Sequence, residues 1–260
     1  MPAGLMLFVP MYNCAPQIRR TLGQLDERLQ RQFEEVFVLD NGSNDGGPQV
    51  ALEVGNGLVH TRVRVAQNDD NYGLGGSHKV AFQRCLDQGY DGLVVFHGDD
   101  QGHLADLADV LPRHSRAECV LGSRFMRGSS LQGYSIERIL ANVAFNGLFS
   151  AVGRMAMWDL GSGLNYYRRD FIARRLWEGC ADDLTFNYHL ILRTAAIRGI
   201  EVDFVPISWR EDDQVSNAKL TKHGVSMLRI LRDASLRRRD FLQADHSAHP
   251  GPRTYGILEA

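Results

Sequence analysis

A strand-like apolar run ends in the stretch HGDDQ at residues 97–101, which carries several side chains of metal-binding type. In an extended backbone every second side chain points to the same side, which would group His97, Asp99 and Gln101. A carboxylate, an amide oxygen and an imidazole can hold part of the coordination shell of Mg²⁺ or Mn²⁺ and leave positions for phosphate oxygens. The stretch alone fits equally well with a polar turn at the end of a strand.

The order of the apolar runs indicates the fold that must position these side chains. Four β-type runs, LMLFVP, EVFVLD, RVRVAQ and DGLVVFHG, alternate with helical patterns at about 16–30, 75–88 and 103–111. This alternation predicts an α/β fold with a mostly parallel, doubly wound sheet flanked by helices. Ligands of such sheets bind at the carboxyl ends of the strands. The polar segments after the four runs should therefore share one crevice. They are residues 10–13, 40–45, 68–76 and 97–101.

Composition and local pattern exclude several classes of function. A net charge of −2 over 260 residues argues against a general nucleic-acid-binding protein, which needs a broad basic surface. The four cysteines are widely separated, which suggests neither a zinc site nor a disulfide framework and fits a reducing cytosol. The first strand-to-helix turn, VPMYNCAPQ, has no glycine, which excludes the dinucleotide and P-loop fingerprints there. The most apolar long segment, residues 139–158, contains Asn142, Asn146 and Arg154, so we expect no membrane span.

Eight short motifs occur in an order and spacing that resembles the family-2 glycosyltransferases of the GT-A fold. They are VPMYN (9–13), VLDNGSNDGG (38–47), NYGLGGS (71–77), HGDDQ (97–101), GSRF (122–125), GYSIER (133–138), DLGSGLNYYRRD (159–170) and VPISWREDDQVSNAK (205–219). Within that family the chain looks like the dolichyl-phosphate mannosyltransferase and polyprenyl-phosphate sugar synthase branch. The resemblance implies an inverting transfer of a sugar from a nucleoside diphosphate to an acceptor, preferably a polyprenyl phosphate.

The resemblance also implies a site for the nucleoside-diphosphate sugar. The matching positions lie in the loops after the predicted strands and in a closing loop. They are Pro10, Tyr12, Asn13, Asp40, Asp45, Asn71, Gly73, Arg210 and Lys219. Cys14 stands where many relatives carry an acidic residue that touches the base, which leaves the identity of the base open.

The metal motif departs from the family pattern. The usual Asp-x-Asp-x-Gln, which binds the metal that carries the diphosphate, here becomes His97-x-Asp99-x-Gln101. The resemblance implies Mg²⁺ or Mn²⁺ as cofactor, held by Asp99, Gln101 and His97, with Asp99 as a catalytic residue. Because His97 replaces a carboxylate, we expect weaker metal binding or a different geometry. A catalytically silent relative that only binds nucleotide sugars is an alternative.

On the acceptor side, the resemblance implies that two catalytic arginines, Arg124 and Arg138, grip a phosphate. Guanidinium groups match a phosphate in both geometry and charge. The other positions that match the family's acceptor pocket are Asn142, Asp159 and Ser162. A phosphate monoester has a second pKa of about 6, so it is largely deprotonated at neutral pH and needs no strong protein base.

An acceptor hydroxyl, on a glycan or a small metabolite, is the alternative, and it would need such a base. Asp159 is one candidate for this base, and the adjacent pair Asp182 and Asp183 is another. We favour a different role for Asp182 and Asp183, because acidic residues are common where a helix begins.

We expect a single GT-A domain over residues 1–243 and a flexible tail over 244–260. Residues 219–243 read as a basic amphipathic helix, since 219–239 contain seven Lys or Arg and one Asp. Such a helix can lie on an anionic membrane surface, or it can pack on the core as an ordinary surface helix. We therefore expect a cytoplasmic protein and leave peripheral membrane contact open.

Overall fold

The computed structural model describes residues 4–114, 116–212, 220–249 and 251–258. The strands are β1 Leu5–Met11, β2 Phe33–Asp40, β3 Arg62–Asn68, β4 Gly92–Phe96, β5 Cys119–Ser123, β6 Ser130–Gln132, β7 Leu164–Arg168, β8 Val202–Pro206, β9 Ser208–Arg210 and β10 Tyr255–Ile257. The helices are α1 Ala15–Gly23, α2 Glu27–Gln30, α3 Gly47–Gly55, α4 Gly73–Gln88, α5 Leu104–Ala108, α6 Ile136–Gly153, α7 Arg169–Ala173, α8 Phe186–Ala195, α9 Leu220–Leu236 and α10 Arg238–Gln243. A 3₁₀ turn, Leu111–His114, follows α5.

In the described part of the chain, the central sheet has eight strands in the order β10-β3-β2-β1-β4-β7-β5-β8. Strands β1 to β4 run parallel, as do β5 and β8, whereas β7 and β10 are antiparallel to their neighbours. The prediction of a mostly parallel α/β sheet is therefore confirmed. Because β5 runs antiparallel to β7 and β7 runs antiparallel to β4, the carboxyl end of β5 reaches the same edge as that of β4.

The sheet separates two layers of helices because side chains alternate along each strand. In β1, Leu7 and Val9 pack with the helix α1, whereas Met6 and Phe8 pack with residues of α4 and α8. A third apolar cluster joins α6, α8, α9 and α10 beyond the sheet. Helix α9 contributes Met227 to this cluster, so one side of the predicted basic helix packs on the core.

Two expectations about the C-terminal part need correction. The predicted single helix over 219–243 is two helices in the described residues, because the backbone leaves the helical region at Arg237, with φ of −133°. The tail expected over 244–260 is not loose throughout, since β10 pairs with the edge strand β3. Its proline, glycine and histidine content suggested a loose segment, but an unpaired sheet edge offers hydrogen bonds that such a segment can satisfy.

Within the described residues, no helix combines the length and the apolar character that crossing a bilayer requires.

Candidate functional site

The acidic stretch 97–101 does not stay extended, which corrects the premise that all three predicted ligands point to one side. Strand β4 ends at Phe96, and the backbone of Asp100 adopts a left-handed conformation, with φ of 59°. The turn is held by the backbone N–H of Gly98, which donates to Pro10 O at 3.0 Å. The turn directs the side chain of Asp100 inward, where it is only 1% exposed and forms ion pairs with Arg20 and Arg210.

His97 lies on the α4 side of the sheet, against Gly163 and His78. Its ring centroid is 6.0 Å from that of His78, and its ring fills the space that a Cβ at Gly163 would need. Burial lowers the pKa of His97 to about 3, so the imidazole is neutral at physiological pH. Its Nε2 is buried and has no hydrogen-bond partner in the described part of the chain.

Asp99 and Gln101 are the two predicted ligands that carry oxygen atoms. Burial raises the pKa of Asp99 to about 6, and its Oδ1 accepts a long bond of 3.4 Å from Gln101 N. No group of three or more His, Cys, Asp or Glu side chains among the described residues could enclose a metal ion. Oxygen ligands from one carboxylate and one amide fit Mg²⁺ or Mn²⁺ only as part of a site that a ligand's phosphate oxygens complete.

Asp100 joins three parts of the molecule, and sequence reasoning missed this. Its carboxylate accepts from Arg20 Nε at 2.6 Å, from Gln24 Nε2 at 3.2 Å and from Arg210 Nη2. Arg210 Nε also donates to Asp100 O at 3.0 Å. Arg210, which was predicted to reach a diphosphate, therefore binds the acidic turn beside Asp99. Lys219, its predicted companion, lies outside the described residues.

The residues predicted to hold the nucleotide meet at the carboxyl ends of β1 and β2. Asp40 is fully buried and shapes its own loop, since Oδ2 accepts from Gly42 N at 3.0 Å and from Ser43 N at 2.9 Å. Asp45 binds Ala15 N at 2.8 Å, so it caps the start of α1. Asn13 Oδ1 accepts from Asn44 N at 3.0 Å. These contacts hold the loops after β1 and β2 in place.

Tyr12 differs from its neighbours because its side chain is open to solvent. It is 41% exposed and follows Pro10 at the end of β1. An exposed aromatic ring at the rim of a crevice offers a flat apolar surface for a base.

The glycine-rich turn at 71–76 borders the same edge. Asn71 Oδ1 accepts from Asn41 Nδ2 at 2.8 Å and from Gly73 N at 3.0 Å. Gly73 has φ of 72°, and a Cβ there would lie 2.4 Å from Asp182 O. Only glycine fits this turn, because it is both left-handed and pressed against residue 182.

The structure brings the two predicted phosphate-binding arginines together around Tyr134. Arg124 Nη1 donates to the hydroxyl of Tyr134 at 3.0 Å, and the guanidinium of Arg138 lies 4.4 Å from the centre of the same ring. Each arginine also has a carboxylate partner: Arg124 binds Asp159 through Nε and Nη2, both at 2.8 Å, and Arg138 binds Glu211. Tyr134 and Glu211 were missed, although Tyr134 lies in the GYSIER motif that contains Arg138.

The remaining acceptor-pocket residues fall into two groups. Asn142 lies one turn after Arg138 on α6 and donates from Nδ2 to Arg138 O at 2.7 Å. Ser162 is buried, and its hydroxyl donates to Asn165 Oδ1 at 3.2 Å. Asn142 therefore borders the arginine pair, whereas Ser162 stabilises the start of β7.

Asp182 and Asp183 have different roles in the structure. Asp183 Oδ1 accepts from Thr185 N at 2.8 Å just before α8, in agreement with the helix-start interpretation. Asp182 is instead buried in an ion-pair network with Lys79, at 2.8 Å, and Arg253, at 2.6 Å. No sequence spacing could indicate this network, because its members lie far apart in the chain.

Comparison with known proteins places this arrangement in context. The model of the family described as Glycosyl transferase family 2 matches residues 6–175. Polyprenol monophosphomannose synthase of Mycolicibacterium smegmatis is 24% identical over 209 residues, which are 79% of this chain and 77% of that protein. Undecaprenyl-phosphate mannosyltransferase of Micrococcus luteus is 25% identical over 208 residues, 80% of this chain and 84% of that protein.

Among solved structures, the fold is similar to that of glucosyl-3-phosphoglycerate synthase from Mycobacterium tuberculosis in complex with Mn²⁺, UDP-glucose and glycerol 3-phosphate. The TM-score is 0.62 at 17% identity, over 91% of this chain and 80% of that chain. This likeness confirms the predicted GT-A architecture.

Proposed function

The chain belongs to glycosyl transferase family 2, and we propose that it moves a sugar, with inversion, from a nucleoside-diphosphate sugar to a polyprenyl phosphate. Two relatives, a polyprenol monophosphomannose synthase and an undecaprenyl-phosphate mannosyltransferase, support this acceptor class.

On the donor side, Asp99 and Gln101 would hold Mg²⁺ or Mn²⁺, and the neutral imidazole of His97 lies next to them along the chain. When bound, such an ion neutralises charge on the departing diphosphate. Tyr12 is exposed at the rim of the crevice and available to the base. Arg210 lies beside Asp99 through its ion pair with Asp100, so a shift of its guanidinium would bring it to the diphosphate.

On the acceptor side, Arg138 is the better placed of the two arginines to bind a phosphate. Its ion pair with Glu211 is partly open to solvent, with side chains 32% and 25% exposed. A phosphate dianion can replace a carboxylate on the same guanidinium fork. Arg124 is more buried, with its side chain 11% exposed, and its guanidinium is shared between Asp159 and the hydroxyl of Tyr134.

The observation that carries the choice of acceptor is that the carboxylates of the candidate bases are already occupied by hydrogen bonds and ion pairs. Asp159 accepts from Arg124 Nε, from Arg124 Nη2 and from Gly161 N, and Asp182 is buried between Lys79 and Arg253. Asp183 accepts from Thr185 N and from Thr185 Oγ1 at the start of α8. An acceptor hydroxyl needs a base to take its proton, whereas a phosphate is already ionised. The site therefore suits a phosphate better than a hydroxyl.

Helix α6 adds a second reason to propose a lipid acceptor. Arg138 and Asn142 lie on one side of it, and Ile136, Leu140 and Val143, spaced four and three residues apart, share another side and are exposed. At 100° per residue the two sides of α6 point in nearly opposite directions, so the apolar side is a surface for the membrane that holds an isoprenoid phosphate and not a wall of the phosphate site.

The first experiment is calorimetric titration with UDP and GDP, with and without Mn²⁺. The wild type should bind one nucleotide in a metal-dependent manner, and Asp99→Ala should lose this binding because it removes a metal ligand. Asp87→Ala is the matched control, since Asp87 is exposed at the far end of α4. Equal binding by wild type and Asp99→Ala would contradict the metal assignment.

Turnover with the matching sugar nucleotide then separates the acceptor classes. Undecaprenyl phosphate and undecaprenol have the same chain and differ in the phosphate. Transfer to the phosphate alone supports the proposal, transfer to the alcohol supports the hydroxyl alternative, and binding without any transfer supports a non-catalytic relative.

A further inference from the structure

We infer that the C-terminal strap, defined as residues 245–249 and 251–257, holds the nucleotide side of the donor site in shape, with Arg253 as a positioning residue for donor binding. This inference rests on the proposed function, because it takes the crevice at the carboxyl ends of β1 to β3 as the donor site. The strap reaches this site through one buried aspartate and one tyrosine.

Asp182 is the anchor of the strap. Its side chain is 3% exposed, and its Oδ2 accepts from Ala248 N at 2.7 Å and from His249 N at 2.9 Å. Arg253 Nη2 donates to Asp182 Oδ1 at 2.6 Å, and the Arg253 side chain is 12% exposed. A carboxylate buried to this degree needs its partners, because an unpaired charge in the interior is costly.

Lys79 belongs to the same network and makes it part of α4. Its side chain is 2% exposed, and its Nζ lies 2.8 Å from Asp182 Oδ1 and donates to Ser247 Oγ at 2.8 Å. One positive charge therefore comes from α4, the helix that begins within the glycine-rich turn, and the other comes from the strap. Both are needed to enclose one carboxylate.

The network is pressed directly on the glycine-rich turn. The backbone of Asp182 accepts from Gly76 N at 3.1 Å, and a Cβ at Gly75 would lie 2.3 Å from Ala181 O. A Cβ at Gly76 would lie 3.4 Å from Arg253 Nε. The turn can therefore keep its position only while residues 181 and 182, and the arginine that holds them, keep theirs.

A second contact joins the strap to Tyr72. The phenol oxygen of Tyr72 accepts from Thr254 N at 3.3 Å, and the ring meets His249 edge-on with centroids 5.5 Å apart. Tyr72 N in turn donates to Asn41 Oδ1 at 3.0 Å. Asn41 N donates to Met11 O at 3.0 Å, the carbonyl that precedes the exposed Tyr12.

These contacts form a continuous path from the strap to the loops after β3, β2 and β1. The strap also adds β10 to the edge of β3, with Tyr255 opposite Asn68 at the carboxyl end of that strand. Loss of Arg253 would release the turn, and with it Tyr72 and Asn41, without removing any group that contacts the reacting atoms. The expected effect is on donor affinity rather than on the chemical step.

The test compares Arg253→Ala, Arg253→Lys and the control Arg198→Ala, which changes an exposed arginine elsewhere. Binding of UDP or GDP with Mn²⁺ is measured by calorimetry, and donor KM and kcat with undecaprenyl phosphate. We expect Arg253→Ala to raise the donor Kd and KM about tenfold, because a small displacement of the donor loops weakens binding. The kcat at saturating donor should stay unchanged. Arg253→Lys should recover part of the affinity, because it keeps the charge beside Asp182.

Hydrogen exchange of the peptide that covers residues 69–77 gives a readout that does not depend on activity. It should speed up in Arg253→Ala and stay unchanged in Arg198→Ala. A folded Arg253→Ala with wild-type donor affinity and exchange would overturn the inference and leave the proposed function intact. If Arg253→Ala does not fold, Arg253→Gln, which removes the charge and keeps a side chain of similar polarity, is measured instead, and wild-type affinity and exchange in that variant would overturn it. A wild type that binds neither nucleotide overturns both proposals.

Discussion

Two adjacent aspartates, Asp99 and Asp100, have separate tasks that depend on which side of the turn each one faces. Asp99 is the proposed metal ligand, and Asp100 is buried against α1 and β9 with Arg20 and Arg210. The sequence predicted that Asp100 would not share the side of Asp99. It could not identify the partners of Asp100, because they lie 80 and 110 residues away in the chain. Ion pairs between distant segments leave no local pattern.

Asp100→Asn should lower the stability of the protein without changing its folded structure. The change removes the charge that Arg20 and Arg210 share, and we expect the free energy of unfolding to fall by about 1–3 kcal/mol, as for other buried polar groups that lose a charged partner. Urea unfolding of the two proteins measures it.

Asp109→Asn is the control for this measurement, because Asp109 pairs with Arg28 at the surface, where both side chains are more than half exposed. Such pairs contribute little. Identical urea midpoints for Asp100→Asn and Asp109→Asn would show that the buried network does not hold the turn.

At the scale of elements, the sequence left α9 with two alternatives, contact with an anionic membrane and packing on the core. Helix α9 buries Met227, Ile230 and Leu231 in the third apolar cluster, and it also exposes Val225 and Leu228. Helix α6 exposes an apolar side, with Leu140 64% exposed. The sequence showed that residues 139–158 are too polar to span a membrane, but only the packing shows which side of α6 is left uncovered.

Leu140→Glu should weaken binding to vesicles of phosphatidylglycerol. Withdrawing one leucine from apolar contact costs about 1.5–3 kcal/mol, so we expect the partition coefficient to fall about tenfold or more. Sedimentation with the vesicles measures it. Val59→Glu changes another exposed apolar residue, 76% exposed and outside α6, and should leave partitioning unchanged. Equal losses in both variants would exclude α6 as a specific contact.

At the scale of the whole molecule, the sequence was enough to predict the parallel sheet and the edge at which its polar loops meet. It was not enough to predict how the C-terminal residues cover the sheet. The alternation of short apolar runs and helical patterns predicted the parallel strands. Because ligands of such sheets bind at the carboxyl ends of the strands, it also predicted where the crevice lies. The antiparallel strand β10 and the Lys79–Asp182–Arg253 network were missed, because both depend on residues brought together only by the complete fold. The single-domain boundary at residue 243 stays a prediction.

The free energy of unfolding of the whole molecule should depend on pH through His189, which lies in the third cluster between Phe241 and His246. Burial, together with the nearby His246 and Arg193, lowers the pKa of His189 to about 3. An unfolded histidine has a pKa of about 6.5, so the unfolded state binds the proton first. Stability is therefore fully present above about pH 6.5 and is lost as pH falls towards 3.

His189→Phe should reduce the loss of stability between pH 7 and pH 5 by about 1–2 kcal/mol, because the titrating group is gone. Urea unfolding at the two pH values measures the difference. The same change at the exposed His103 should leave it unaltered, and a His189→Phe protein with the wild-type pH dependence would contradict the assignment.

The pairing of β10 with β3 has a consequence for biosynthesis. Strand β3 leaves the ribosome early, whereas the segment that covers its outer edge follows only after nearly all of the sheet and its helices. Until then β3 presents unpaired backbone groups, the kind of edge that invites association with other chains. The period of greatest exposure to aggregation thus lasts until β10 is released, and the loops after β1 to β3 beside that edge keep an open neighbour until then.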